Sequence, residues 1–193
     1  IIENETNLIA VKKPVFPFNK FPNQNIFLSP EMRSTGEVIG LDRYLGSAYA
    51  KAEIGAGNKL PQNGTIFISV NNADKNQIIK IARDFSEMNF EIVATSGTAN
   101  ILKQNGILCD SIFKVGEGRP NVVDAIKNNE INLIINTPLG SQSRYDEYQI
   151  GKTSIKHSIP VITTIAAAKA ALRAIRIIQN KQIEYFSLQS IFD

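Results

Sequence analysis

From about residue 61 onward the chain keeps returning to one pattern: a short apolar run, a polar turn, then a stretch with apolar residues three or four positions apart. The apolar runs predict strands over 65–70, 90–95, 111–115, 132–136 and 160–163, and the stretches between them predict helices that include 75–88, 99–104, 121–128 and 166–178. Ile78, Ile79, Ala82 and Phe85 mark the buried face of the first of these helices. Strands separated by whole helices cannot pair through tight turns. They need crossover connections, so the fold class is α/β, a mainly parallel sheet with helices on both faces.

The first sixty residues read differently. Pro14, Pro17, Pro22 and Pro30 interrupt them, and the extended run Val15-Phe16-Pro17-Phe18 leaves no room for a long helix. Leu41, Leu45, Ala48, Ala52 and Ile54 then have helical spacing, ended by Gly55 and Gly57. The stretch 57–64 reads as a linker and divides the chain into a strand-and-turn segment without its own core, 1–60, and a regular domain, 61–193. With 43% apolar and 20% charged residues the composition is that of a folded domain rather than a disordered tail.

Composition also narrows the partners. A formal charge of +3 is spread along the chain without interleaved aromatic residues, which speaks against nucleic acid and leaves a small anion as the expected ligand. There is no long apolar run for a membrane, and the single Cys109 has no disulfide partner within the chain, which together point to the cytoplasm.

In an open parallel sheet, ligands bind beyond the carboxyl ends of the strands. After the first strand come Asp74, a candidate N-cap, and Lys75, a cation at a helix start. Thr95-Ser96-Gly97-Thr98 follows the second strand and offers hydroxyls, backbone donors and close approach, the chemistry a phosphate needs, although Ser96 or Thr98 could simply cap the helix. Lys114 ends the third strand before Gly116-Glu117-Gly118-Arg119-Pro120, which lacks the full dinucleotide fingerprint. Asn136 and Thr137 leave the fourth strand in a polar turn that runs on through Ser141. Against these binding groups stands no evident acid–base pair: His157 is expected at a helix end, Cys109 in an apolar site, and no cluster has metal-ligand spacing.

At Phe18-Asn19-Lys20-Phe21-Pro22 and over 30–40, Pro-Glu-Met-Arg-Ser-Thr-Gly-Glu-Val-Ile-Gly, the sequence resembles the end of the second ATP-grasp unit of carbamoyl-phosphate synthetase large subunits. Thr95-Ser96-Gly97-Thr98, Glu117-Gly118-Arg119-Pro120 and Ile134-Ile135-Asn136-Thr137 resemble the same family's regulatory domain, which has the methylglyoxal-synthase-like fold. The resemblance implies an incomplete ATP-grasp segment followed by an allosteric domain. It implies that the intact subunit makes carbamoyl phosphate from bicarbonate, ammonia from a glutaminase small subunit, and ATP with Mg or Mn, for pyrimidine and arginine synthesis, leaving homo-oligomerisation open. The family's catalytic ATP and metal ligands would lie upstream of residue 1, so this region needs no cofactor and is inactive alone. UMP or IMP is the implied effector, with the family's phosphate-binding positions falling on Lys75, Thr95, Thr98, Lys114, Asn136 and Thr137.

Two positions depart from the family pattern. Where ornithine-activated members have a carboxylate this chain has Lys13, and where they have an aromatic hydroxyl it has Val161; Thr163 keeps the rest of the pattern. Ornithine activation is therefore not expected. A free-standing methylglyoxal-synthase-type enzyme is the alternative, but the Thr95 turn lacks the acid that chemistry needs. A cyclohydrolase-type domain of purine synthesis would leave the match over 32–40 unexplained.

Overall fold

The computed structural model describes residues 7–15, 36–137, 144–180, 183–187 and 189. Five strands, β3 (Gly64–Ser69), β4 (Phe90–Thr95), β5 (Asp110–Ile112), β6 (Leu133–Asn136) and β7 (Val161–Ile162), form one sheet in the order β5-β4-β3-β6-β7, with every pairing parallel. Because successive side chains on a strand point to opposite faces, β3 and β6 feed two cores. Ile66, Ile68, Leu133 and Ile135 enter one, while Phe67 and Ile134 enter the other.

The helices divide accordingly. α2 (Lys75–Glu87), α3 (Ser96–Gln104) and α6 (Ile165–Asn180) cover the first face, joined by α1 (Leu45–Gly55), which packs along α6. α4 (Val122–Lys127) and α5 (Arg144–Lys156) pack on each other and cover the second face. In the first core Phe85 of α2 is fully buried and meets Phe90 edge-on at 5.6 Å between ring centroids.

Ahead of the sheet, β1 (Ile9–Val15) and β2 (Gly36–Asp42) pair antiparallel and lie against α1. The helix predicted from Leu41 begins only at Leu45. Leu41 and Asp42 remain in the strand, opposite Ala10 and Ile9, and Asp42 Oδ1 accepts the Tyr44 amide to turn the chain into the helix. Lys51 clamps this turn from within α1, reaching Asp42 at 2.8 Å and the Leu41 carbonyl at 3.0 Å. Two glycines let α1 sit close on both sides. A Cβ on Gly40 would overlap the Ala48 carbonyl oxygen, and one on Gly46 would lie 2.7 Å from the Ile177 side chain and 2.9 Å from the Arg173 backbone.

Other boundaries moved by a few residues. α3 starts at Ser96 rather than near Ala99, and β5 ends at Ile112, where the 111–115 prediction ran too far. The stretches 18–22 and 30–35, which carry much of the resemblance, lie outside the described residues, as do residues 138–141 of the expected polar turn. The end of that motif, residues 36–40, forms most of β2.

Replacing Gly40 with Ala forces backbone against backbone, where no rotamer change relieves the clash. Chemical denaturation should show a loss of about 3 kcal/mol, the upper end of ordinary overpacking, and an unchanged midpoint would mean the β2–α1 seam is looser than described. Phe85→Ala should cost about 3–5 kcal/mol in the same measurement.

Candidate functional site

The chain leaves β3 toward β4 and β5 on one side and leaves β6 toward β7 on the other, so the sheet's switch point lies between β3 and β6. Connections after two neighbouring strands diverge there and open a crevice. Its floor is a set of short polar side chains. Ser69 and Asn136 are register partners, and the Thr137 amide donates to the Ser69 carbonyl at 3.0 Å. The Thr95 hydroxyl lies 3.4 Å from Ser69 Oγ and 3.5 Å from Thr98 Oγ1.

Thr98 and Thr137 also hold the loops that frame the crevice. Thr98 Oγ1 accepts the Val70 amide at 3.4 Å, and Thr137 Oγ1 accepts the Asn71 amide at 3.0 Å. A hydroxyl whose oxygen is already accepting keeps its proton to give, so both are donors suited to an anion.

The amino end of α3 supplies more donors. Thr95 stands at the N-cap in an extended conformation without a side-chain capping bond, and Ser96 and Gly97 are exposed. Neither Ser96 nor Thr98 caps the helix. Above this end sits Lys75, whose Nζ lies 3.7 Å from where a Gly97 Cβ would be. An ammonium and the positive pole of a helix are thus held together, an arrangement favourable only when an anion lies between or beside them. The expectation that Asp74 caps α2 is corrected: it makes no capping bond. Asn71 instead accepts the Asp74 amide at 3.0 Å and donates to its carboxylate at 2.7 Å, closing a 3-10 turn over Asn72–Asp74. The amide side chain reaches across the turn, which Asp74 at its end cannot.

The opposite wall carries groups that the sequence reading missed. Lys114 follows β5 and faces Glu117 at 3.7 Å. Asp146 and Glu147 of α5 line the crevice with Phe67, Ser69, Thr95, Lys114 and Asn136, and about 10 Å³ is left between these walls, room for one water. Burial, with Glu117 and Glu147 adding repulsion and Lys114 opposing, raises the Asp146 carboxyl above its ordinary pKa. The Thr95 turn itself carries no acid, as expected, but α5 brings the carboxylates of Asp146 and Glu147 to the crevice, on a helix with few apolar residues to mark its facing.

The structure thus brings Thr95, Lys114 and Asn136 to one cavity, ties Thr98 to Thr95 and Thr137 to Asn71 beside it, and sets Lys75 close to Gly97. Residues 77–163, which contain most of these groups, match the family described as MGS-like domain. The chain carries an MGS-like domain. Over 94% of its length it is 49% identical to the carbamoyl phosphate synthase large chain of Nostoc sp., of which it spans 16%. It is 46% identical over 98% of its length to the carbamoyl phosphate synthase large chain, C-terminal section, of Methanopyrus kandleri, spanning 35% of that protein. Among solved structures, methylglyoxal synthase from Elizabethkingia anophelis NUHP1 aligns with a TM-score of 0.48 and 14% identity, covering 58% of this chain and 79% of that one.

Other reactive groups of the MGS-like domain lie away from the crevice. His157 follows α5 at its far end, with Nδ1 3.3 Å from Asn129 Oδ1. Cys109 is buried, and desolvation pushes its thiol up to about 11. Among the described residues no group of three or more His, Cys, Asp or Glu is placed to share a metal ion, and no helix is long and apolar enough to cross a membrane.

A carboxyl whose pKa is raised by folding costs the folded state nothing at low pH, where it is protonated in both states, and destabilises it once pH rises through the folded value. Asp146→Asn should therefore raise the thermal midpoint at pH 7, with the advantage shrinking as pH falls through the raised folded value and gone below the ordinary carboxylate range. A variant equally stabilising at pH 3 and pH 7 would show that charge at Asp146 is not the cause.

Proposed function

We propose that this chain is the effector-binding region of a carbamoyl phosphate synthase large chain and that it binds a nucleoside monophosphate, UMP or IMP, through the phosphate. The observation that carries this reading is the Lys75 ammonium lying over the amino end of α3, backed by hydroxyl donors at the switch point. The phosphate would sit between Lys75 and Lys114, taking bonds from the Ser96 and Gly97 amides and from Thr95 and Thr98, with Asn136 and Thr137 lining the edge. Similarity to carbamoyl phosphate synthase large chains along nearly the whole sequence supplies the protein context.

In that context the intact large chain, with a glutaminase partner, would convert bicarbonate, glutamine-derived ammonia and ATP into carbamoyl phosphate in the cytoplasm for pyrimidine and arginine synthesis. ATP and its Mg or Mn ions would bind to upstream catalytic parts, and this region alone would turn over neither ATP nor bicarbonate. Residues 1–60 would be the end of the catalytic unit and 61–193 the regulatory domain. The structure adds a seam between them, since α1 lies against α6.

Lys13 gives the ornithine question a new form. Its ammonium is paired at 2.5 Å with Glu53, a buried carboxylate that also accepts Asn58 Nδ2 at 2.8 Å. An ammonium ligand would have to displace an internal lysine rather than meet a bare like charge. Ornithine should therefore leave the apparent ATP requirement of the intact enzyme unchanged; a clear lowering would overturn this.

Calorimetric titration of the chain tests the effector reading. Lys75→Ala and Lys114→Ala should each weaken UMP or IMP binding by about 1–3 kcal/mol, the loss expected for one charge-assisted hydrogen bond. Unchanged affinity in both variants would remove the phosphate from this site. Because Asp146 places a carboxylate in the crevice, turnover of dihydroxyacetone phosphate by the purified chain is the direct check on the methylglyoxal-synthase-type alternative, and none is expected.

A further inference from the structure

The turn after β5 contains a contact that works against phosphate binding. Lys114 and Glu117 are joined three times: the ammonium faces the carboxylate at 3.7 Å, the Lys114 amide donates to the same carboxylate at 3.2 Å, and the Glu117 amide donates to the Lys114 carbonyl at 3.2 Å. Among the described lining residues Lys114 is the cation of this crevice wall, and its counter-ion is already supplied by a residue three positions on. Asp146 and Glu147 stand on the facing helix, so among the described residues a phosphate arriving at Lys114 meets the carboxylates of Glu117 and Asp146 close to that cation. With about 10 Å³ between the walls, the ligand cannot be accommodated without rearrangement there.

We propose that Glu117 is a built-in competitor for the effector's phosphate, holding Lys114 in the empty crevice and giving it up when the nucleotide binds. This rests on the effector reading above and adds to it a residue whose removal improves binding. The exchange requires the turn to change shape. Gly116, at φ 93 with open space where a side chain would stand, lets it do so without displacing neighbours. The pair is a fair match for such an exchange: both side chains are more than a third exposed, so solvent weakens the ion pair. A phosphate bound also by Lys75 and the α3 amides can outbid it.

The test is calorimetric titration of the chain with UMP and, separately, with IMP. Glu117→Gln, which keeps size and hydrogen-bonding capacity, should bind the effector about two- to fivefold tighter, the range of an exposed ion pair, with the gain shrinking at high salt. The gain should vanish when Lys114→Met is the background, since competition for Lys114 is then impossible. Glu87→Gln, an exposed carboxylate at the carboxyl end of α2, should change nothing. Unchanged or weaker binding by Glu117→Gln while Lys75→Ala and Lys114→Ala still weaken it would sink the competitor and leave the effector site standing. An equal gain from Glu87→Gln, or a gain that persists without Lys114, would show long-range charge at work and overturn the proposal. Indifference of affinity to Lys75 and Lys114 alike would remove the site itself.

Discussion

Parallel pairing of β3 with both β4 and β6 is the constraint on which the rest depends. With neighbours on both edges and cores on both faces, the centre of β3 must be apolar, and Ile66, Phe67 and Ile68 are fully buried. Parallel neighbours must be reached by helices, and since the chain leaves β3 one way and β6 the other, the loops after these two strands separate. The same pairing that builds the core therefore puts Ser69 and Asn136 side by side at the one edge where a ligand can enter. No residue of the crevice needs to be near another in sequence for this to happen.

The polar groups at that edge stabilise the fold and, in the proposed reading, also bind the effector. Buried hydroxyls cost free energy unless bonded, and Thr95, Thr98 and Ser69 satisfy one another and the adjoining backbone. Holding the loops in this way keeps the α3 amides and Lys75 aimed at one point before any ligand arrives. The opposite wall is different in kind: Lys114 is tied to its own turn, and the carboxylates of α5 press toward it. One half of the proposed site is preorganised and the other is occupied by internal counter-ions, a division that would suit an effector-responsive region.

Much of this was legible in the sequence. Continuous apolar runs located the central strands, and three residues singled out at strand ends, Thr95, Lys114 and Asn136, line one cavity. What failed were features set by tertiary contact. Ser96 and Gly97 are poor helix formers, so the first turn of α3 looked like a loop; Thr95 and Thr98, bonded to β3 and its following residue, hold it in place. Asn71 rather than Asp74 closes the turn before α2, a choice decided by backbone direction. Asp146 and Glu147 were missed because α5 buries few apolar side chains, Ile150 among them, leaving no stripe from which its crevice-facing side could be read. Lys13 was read as a bare charge because its partner, Glu53, lies forty positions away on a helix packed beneath β1.

The central claim is that a nucleotide phosphate docks at the switch point, on the amino end of α3. Amide resonances of the isotopically labelled chain, followed by NMR during titration with UMP or IMP, test it most directly. The account predicts that the largest saturating shifts fall on Ser96, Gly97 and Thr98, with Thr137 and the 114–118 turn moving in step. Saturating shifts confined to the α1–α6 seam, with the α3 amides unmoved, would contradict it.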